Sequence, residues 1–115
     1  MVLRAGAGMT ALDAAFVALA DPTRRKVLTL LARRERRAGE LARSLRLTAP
    51  AMSKHLKVLR DSRLVLMGTD ATDARAVVYR LRREGFREAS GWLEGIERFW
   101  DDQLDGFKSY AEGKR

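Results

Sequence analysis

Two short apolar stripes of helical period, separated by a tight turn and followed by an alternating run, constrain this chain more than any other feature. Leu41, Ala42 and Leu45 lie on one face of a short helix expected over about Gly39 to Leu45. Met52, Leu56 and Leu59, spaced by four and three, lie on one stripe of a second helix reaching about Ser62. Between them Arg46-Leu47 form a turn, Thr48 is an N-cap and Pro50 falls in the first turn, where its missing N–H removes no helical hydrogen bond. Two β-rich runs come next, Leu64 to Met67 and Ala76 to Leu81, the second alternating through Val77, Tyr79 and Leu81. The polar connection Gly68 to Ala74 makes them a hairpin. Helix, turn, helix and hairpin in that order outline a winged helix-turn-helix.

The flanks complete one domain. A first helix is expected over about Thr10 to Ala20, with Leu12, Phe16 and Leu19 on one face. Asp21 and Pro22 open a second, running to about Arg34, which buries Val27, Leu28 and Leu31. From about Arg83 to Glu112 a last helical pattern carries Phe86, Ala89, Leu93, Ile96, Trp100, Leu104, Phe107 and Ala111. That stripe is too long for one small domain to bury. The expected architecture is mainly α with a small β-hairpin, in the order α1-α2-α3-α4-β-β-α5. Residues 10–112 are expected to form this one winged helix-turn-helix domain, with 1–9 a flexible leader and 113–115 a flexible tail.

Charge says where a polyanion would sit. Residues 22–83 hold 17 basic and 5 acidic side chains, net +12, whereas residues 84–115 hold 5 and 8, net −3. A segregated basic segment points to nucleic acid. The chain has no cysteine, which excludes disulfides and thiolate metal sites and fits a reducing, cytoplasmic location. No apolar run approaches the length of a membrane span.

With Met52, Leu56 and Leu59 turned inward at about 100° per residue, Pro50, Ser53, Lys54, Lys57 and Asp61 face outward. A hydroxyl and two lysines on a narrow face suit a major groove, where they reach base edges or phosphates. The bland alternative is a solvated basic face. His55 falls at the boundary of the buried stripe; a lone histidine with no ligand spacing and no nucleophile pattern is a packed residue or a phosphate contact rather than a metal or catalytic group.

These segments resemble a known family. Glu40-Leu41-Ala42, Leu45, the run Pro50-Ala51-Met52-Ser53-Lys54-His55-Leu56-Lys57-Val58-Leu59, Leu64-Val65 and Val77-Val78-Tyr79-Arg80-Leu81 look like the ArsR/SmtB family of bacterial repressors. Ala20-Asp21-Pro22-Thr23-Arg24-Arg25 matches that family's entry into its second helix, and the resemblance spans roughly residues 12–110. It implies a homodimer through the first and last helices, a fourth helix that reads DNA, and a wing over the adjacent minor groove. Metal-sensing members carry a cysteine motif in the third helix, where this chain has Leu41-Ala42-Arg43-Ser44-Leu45. Their other metal site uses histidines and carboxylates on the last helix, and no histidine follows His55 here. The usual Gly-Arg pair of the wing appears as Ala74-Arg75, and Arg37 stands at a cap usually held by Ser or Thr.

The expected DNA contacts are therefore Thr48, Ser53, Lys54, His55 and Lys57 on the reading helix, Arg75 on the wing, and Arg36 or Arg37 on the phosphate backbone. Asp70 and Asp73 in the wing should repel phosphates. The expected dimer seam comprises Leu12, Phe16, Leu19, Leu93, Ile96, Trp100, Leu104 and Phe107. Gly91 and Gly95, one turn apart, would let a partner helix approach or leave room for a ligand, unless packing simply tolerates them. The partners are double-stranded DNA and a second copy, with a small-molecule effector left open, and no cofactor, metal, catalytic group or membrane is expected. Glu94, Glu97, Asp101, Asp102 and Asp105 form a solvated acidic face. The competing class is a basic helical adaptor or RNA-binding module working through its C-terminal helix; Tyr79 is the one aromatic in the basic segment, which disfavours RNA.

Overall fold

The computed structural model describes residues 9–113, so the leader expected over 1–9 and the tail over 113–115 fall outside the described residues except for Met9 and Gly113. Five helices and one hairpin follow in order: α1 (Ala11–Leu19), α2 (Pro22–Arg33), α3 (Ala38–Leu45), α4 (Ala49–Asp61), β1 (Val65–Thr69), β2 (Val77–Leu81) and α5 (Arg87–Ala111).

Local chemistry sets most of the starts. Thr10 accepts the N–H of Asp13 at 3.1 Å, and the Asp13 carboxylate accepts that of Thr10 at 3.5 Å, a reciprocal cap on α1. Asp21 accepts from the N–H groups of Thr23 at 2.7 Å and Arg24 at 3.1 Å, with Pro22 opening α2. Burial works against the Asp21 charge, yet those two N–H groups, the Arg24 guanidinium and nearby His55 together hold its pKa below the ordinary value. Thr48 accepts the N–H of Ala51 at 3.2 Å and caps α4.

Both helices of the helix-turn-helix end in a left-handed residue, and both times it is arginine. Arg46 has φ 56° and ψ 46°; its N–H bonds Arg43 O, and the N–H of Leu47 bonds Ala42 O at 2.9 Å. Arg63 has φ 62°; its N–H bonds Arg60 O at 2.9 Å, and that of Leu64 bonds Leu59 O at 3.0 Å. Each is a Schellman closure, which ordinarily selects glycine.

The core lies where α1 to α4 converge on the root of the hairpin. Val27, Leu28, Leu31, Leu41, Met52, Leu56, Leu59, Leu64 and Val65 are buried together, and Leu12, Phe16, Leu19, Leu45, Tyr79 and Phe86 pack around them half-buried. The strands pair antiparallel, Val65 opposite Leu81 through Thr69 opposite Val77. β1 thus extends two residues past the expected Met67, because Gly68 and Thr69 complete the ladder to Val78 and Val77. Arg36 adds a bridge that periodicity does not show: its N–H donates to Tyr79 O at 3.0 Å, and the Tyr79 N–H donates back at 2.7 Å.

The last helical segment is corrected at its start. Residues Arg83–Phe86 form a 3-10 turn, and α5 begins only at Arg87. The turn lets Gly85 pass against the backbone of Arg63, closer than any side chain would allow. From there α5 runs about 37 Å at about 1.5 Å per residue. Only Ala89 of it is buried, and it projects past the core to give a molecule of 68 × 33 × 24 Å.

Candidate nucleic-acid interface

On α4 the division between faces is sharp. Met52, Leu56 and Leu59 are 1%, 2% and 0% exposed, whereas Ser53, Lys54 and Lys57 are open to solvent. The inward residues fix the rotation of the helix, and the outward set follows from it. Lys54 makes no hydrogen bond or ion pair among the described residues. Lys57 donates to Asp61 at 2.9 Å, an exposed pair one turn apart that holds it only weakly. The Thr48 hydroxyl oxygen is engaged as cap, which leaves its O–H to donate outward. His55 is half-buried beside the Asp21 cap of α2. At the exposed N-terminal end of α4, after Thr48, dipole and backbone N–H groups favour an anion.

The hairpin loop between β1 and β2 is built on two aspartates. Asp70 donates its N–H to Ala76 O at 3.0 Å and accepts, on one carboxylate oxygen, the N–H and hydroxyl of Thr72, both at 2.8 Å. Its other oxygen accepts from Arg37 Nε at 2.9 Å and forms an ion pair with Nη2 at 2.8 Å. The Thr72 hydrogen bonds first, and then the Arg37 guanidinium, hold the Asp70 pKa at about 2. Asp73 accepts the Arg75 N–H at 3.0 Å. The Arg75 side chain is 97% exposed, with Asp73 at 4.0 Å as its weak partner. The expectation that both aspartates simply confront phosphates is therefore modified: Asp70 is spent inside the protein and neutralised by Arg37.

The basic residues divide into those that build the fold and those that face outward. Arg24 donates to the carbonyls of Ala18 and Val17 at 2.8 and 3.0 Å, and Arg25 donates to Leu19 O at 2.7 Å, so α2 caps the C-terminus of α1. Arg36 Nε donates to Leu30 O at 3.3 Å. Arg34 pairs with Glu40 at 2.8 Å, and Glu40 also accepts the Arg37 N–H; these bonds raise the arginine pKa and lower that of the glutamate. Arg36 and Arg37, expected on the phosphate backbone, thus also have partners within the protein, and the Arg37 side chain stays 45% exposed. Periodicity carries no trace of these pairings; a sequence cue exists only at Asp70-Ala71-Thr72, an aspartate two residues before a threonine, which favours a local turn.

Away from this face, Leu93, Ile96, Trp100, Leu104 and Phe107 form an open stripe on α5, its exposure rising to 60% at Leu104 and 70% at Phe107. Trp92 meets Phe16 edge to face, ring centroids 5.6 Å apart, and this ties α5 to α1. Leu12, Phe16 and Leu19 are half-buried in the protomer's own core, so only part of their surface is left for a partner. Nothing lies within 4 Å of a Cβ built on Gly91, Gly95 or Gly106, so no neighbouring helix meets them within the protomer; Gly91 borders an open surface hollow with Phe86, Arg87 and Glu94. Among the described residues no group of three or more metal-ligating side chains converges, and no helix is long and apolar enough to cross a membrane.

Known proteins share this arrangement. The profile of bacterial regulatory proteins of the arsR family matches residues 21–66, from the α2 cap through α4 to β1. The HTH-type transcriptional regulator Rv2034 of Mycobacterium tuberculosis is 40% identical over 102 residues, 89% of this chain and 90% of its own length. The chain belongs to the arsR family. The transcriptional repressor SdpR of Bacillus subtilis is 28% identical over 89 residues, covering 77% of this chain and 96% of that one. Among solved structures, an ArsR-like transcriptional regulator from Rhodococcus sp. RHA1 superimposes with a TM-score of 0.75 at 32% identity, over 91% of this chain and 94% of that one. This arsR-family protein is accordingly a DNA-binding transcriptional regulator with a winged helix-turn-helix.

Proposed function

We propose that the chain acts in the cytoplasm as a homodimeric repressor and reads an operator of two symmetric half-sites. The observation that carries this reading is the outward face of α4, where Ser53, Lys54 and Lys57 stand open opposite a fully buried stripe. In the major groove Lys54 and Lys57 reach guanine edges or phosphates, Ser53 bonds a base or a phosphate, and Thr48 and His55 contact the backbone. Arg75 enters the adjacent minor groove from the wing.

Two-fold pairing supplies the second half-site. The open α5 stripe needs a cover, and a second α5 together with the exposed parts of Leu12, Phe16 and Leu19 is a matching apolar surface. Each large side chain removed from water contributes about 1.5–3 kcal/mol, so a few per protomer offset the cost of association. The half-sites then lie about one helical turn, roughly 34–36 Å, apart. In this arrangement the acidic face of α5 lies away from the DNA. Nothing in the site assigns an effector.

Parallel selections from random duplex-DNA and single-stranded-RNA libraries with purified protein test this reading. An enriched palindrome, footprinted as two half-sites by a protein that sediments as a dimer, is the expected result. Enrichment of single-stranded RNA, or a monomer that binds one half-site at full affinity, would overturn it.

A further inference from the structure

Removing a negative charge from a wing that lies on DNA should, on electrostatics alone, tighten binding. The geometry at Asp70 points the other way. Its carboxylate is a knot of three hydrogen bonds and an ion pair: Thr72 donates twice to one oxygen, and across 33 residues of sequence Arg37 donates through Nε to the other, with Nη2 2.8 Å from it. Arg37 is the residue that starts α3, so the knot fastens the wing loop to the first helix of the helix-turn-helix. One residue earlier, the Arg36 backbone is bridged in both directions to Tyr79 in β2. The linker between α2 and α3 therefore grips the wing twice, at mid-strand through backbone and at the loop through side chains.

We propose that the Asp70–Arg37 pair is a positioning device that fixes Arg75 over the DNA relative to α4. The proposal rests on the wing reading given above. A two-stranded hairpin is a marginal structure by itself, and the loop from Asp70 to Ala76 lies beyond the last strand pair, Thr69 with Val77. Arg75, almost wholly exposed, has no packing of its own to place it. With the loop tied to α3, the backbone that carries Arg75 is held in place relative to the reading helix, and that ordering is done before DNA arrives. Without the tie, each binding event must order the loop.

The test is operator titration of Asp70→Asn, Arg37→Gln, Arg75→Ala and the double variants that combine each of the first two with Arg75→Ala. Asp70→Asn keeps an oxygen for Thr72 but turns an amide toward Arg37, so the tie is cut and the local turn is kept. Melting curves and circular dichroism verify that each variant is folded, and Arg37→Gln cuts the tie from the other side. The expected result is that both single variants weaken operator binding by about three- to thirtyfold, the range set by ordering one or two side chains on binding. With alanine at position 75 neither should have any further effect. Discrimination between A·T-flanked and G·C-flanked operators should fall with affinity, a readout that general loosening does not move. Tighter binding by Asp70→Asn, or an equal loss with and without Arg75, would overturn the positioning role. If Arg75→Ala alone binds every operator like wild type, the wing reading itself fails and the proposal falls with it.

Discussion

Gly85→Ala should be the most damaging single methyl group that can be added to this protein. A Cβ at that position would lie 2.0 Å from Arg63 O, 3.0 Å from Arg63 C and 3.2 Å from Leu64 Cα. All three are backbone atoms, so no side-chain rotation relieves the contact. The facing segment is also held in place: Arg63 O accepts from Arg82 Nη1 at 3.2 Å, and Leu64 O accepts the Arg82 N–H at 2.8 Å. Relief requires the 3-10 turn to withdraw by about 1 Å from the corner between α4 and β1, against a close-packed core. Overpacking costs about 1–3 kcal/mol, and a backbone-to-backbone clash belongs at the top of that range. At several degrees per kcal/mol for a domain of this size, the melting temperature should fall by about 10–20 °C. Gly85 is not in the left-handed region, so the loss is steric alone. Gly91→Ala and Gly106→Ala are the controls: with open space around both, each should stabilise by about 0.5–1 kcal/mol. Thermal melts with parallel urea titrations measure all three. A Gly85→Ala protein that melts within about 2 °C of wild type would refute the close approach of the 3-10 turn to Arg63.

Lys54→Ala with Lys57→Ala should weaken specific binding by about 1–3 kcal/mol for each side chain that reaches a base, and flatten the fall of log affinity with log salt. Unchanged selectivity in the double variant would remove α4 as the reading helix. Arg46→Gly and Arg63→Gly each relieve a left-handed arginine and should raise stability, read from the urea midpoint, by up to about 1 kcal/mol after the extra chain entropy of glycine. A drop at either site would mean that the side chain makes stronger contacts than the strain it carries. Trp100→Glu with Leu104→Lys should give monomers in sedimentation that lose operator binding, whereas a dimer that survives both charges would place the seam elsewhere. The depressed Asp70 carboxyl stabilises the fold fully above the unfolded value, about 3.9, and that contribution is lost as pH falls through about 2. The urea-midpoint gap between wild type and Asp70→Asn should thus be flat from about pH 5 to 8 and close toward about pH 2; a gap that closes near neutrality would contradict the Arg37 and Thr72 bonds.

The sequence by itself determined what is local. Thr10, Asp21 and Thr48 cap helices through N–H groups two or three residues away, and Pro22 and Pro50 act in the same turns, so the starts of α1, α2 and α4 are readable within one or two residues. The outward face of α4 was equally legible, because Met52, Leu56 and Leu59 fix the helix rotation. Only the tertiary structure decided how the parts are held to one another. The Arg37–Asp70 tie, the Arg36–Tyr79 bridge and the approach of Gly85 to Arg63 join residues 22 to 43 positions apart, and a pairing over that distance leaves no period in the chain. Arg46 and Arg63 were unreadable for the opposite reason: each occupies a left-handed position whose usual mark is glycine, and the hydrogen bonds of the closure hold arginine there in its place. The stripe on α5 shows both sides. Its periodicity was plain, but that the core takes only Ala89 and leaves Leu93 to Phe107 outside follows from where α1 and the hairpin end, which is a fact of packing.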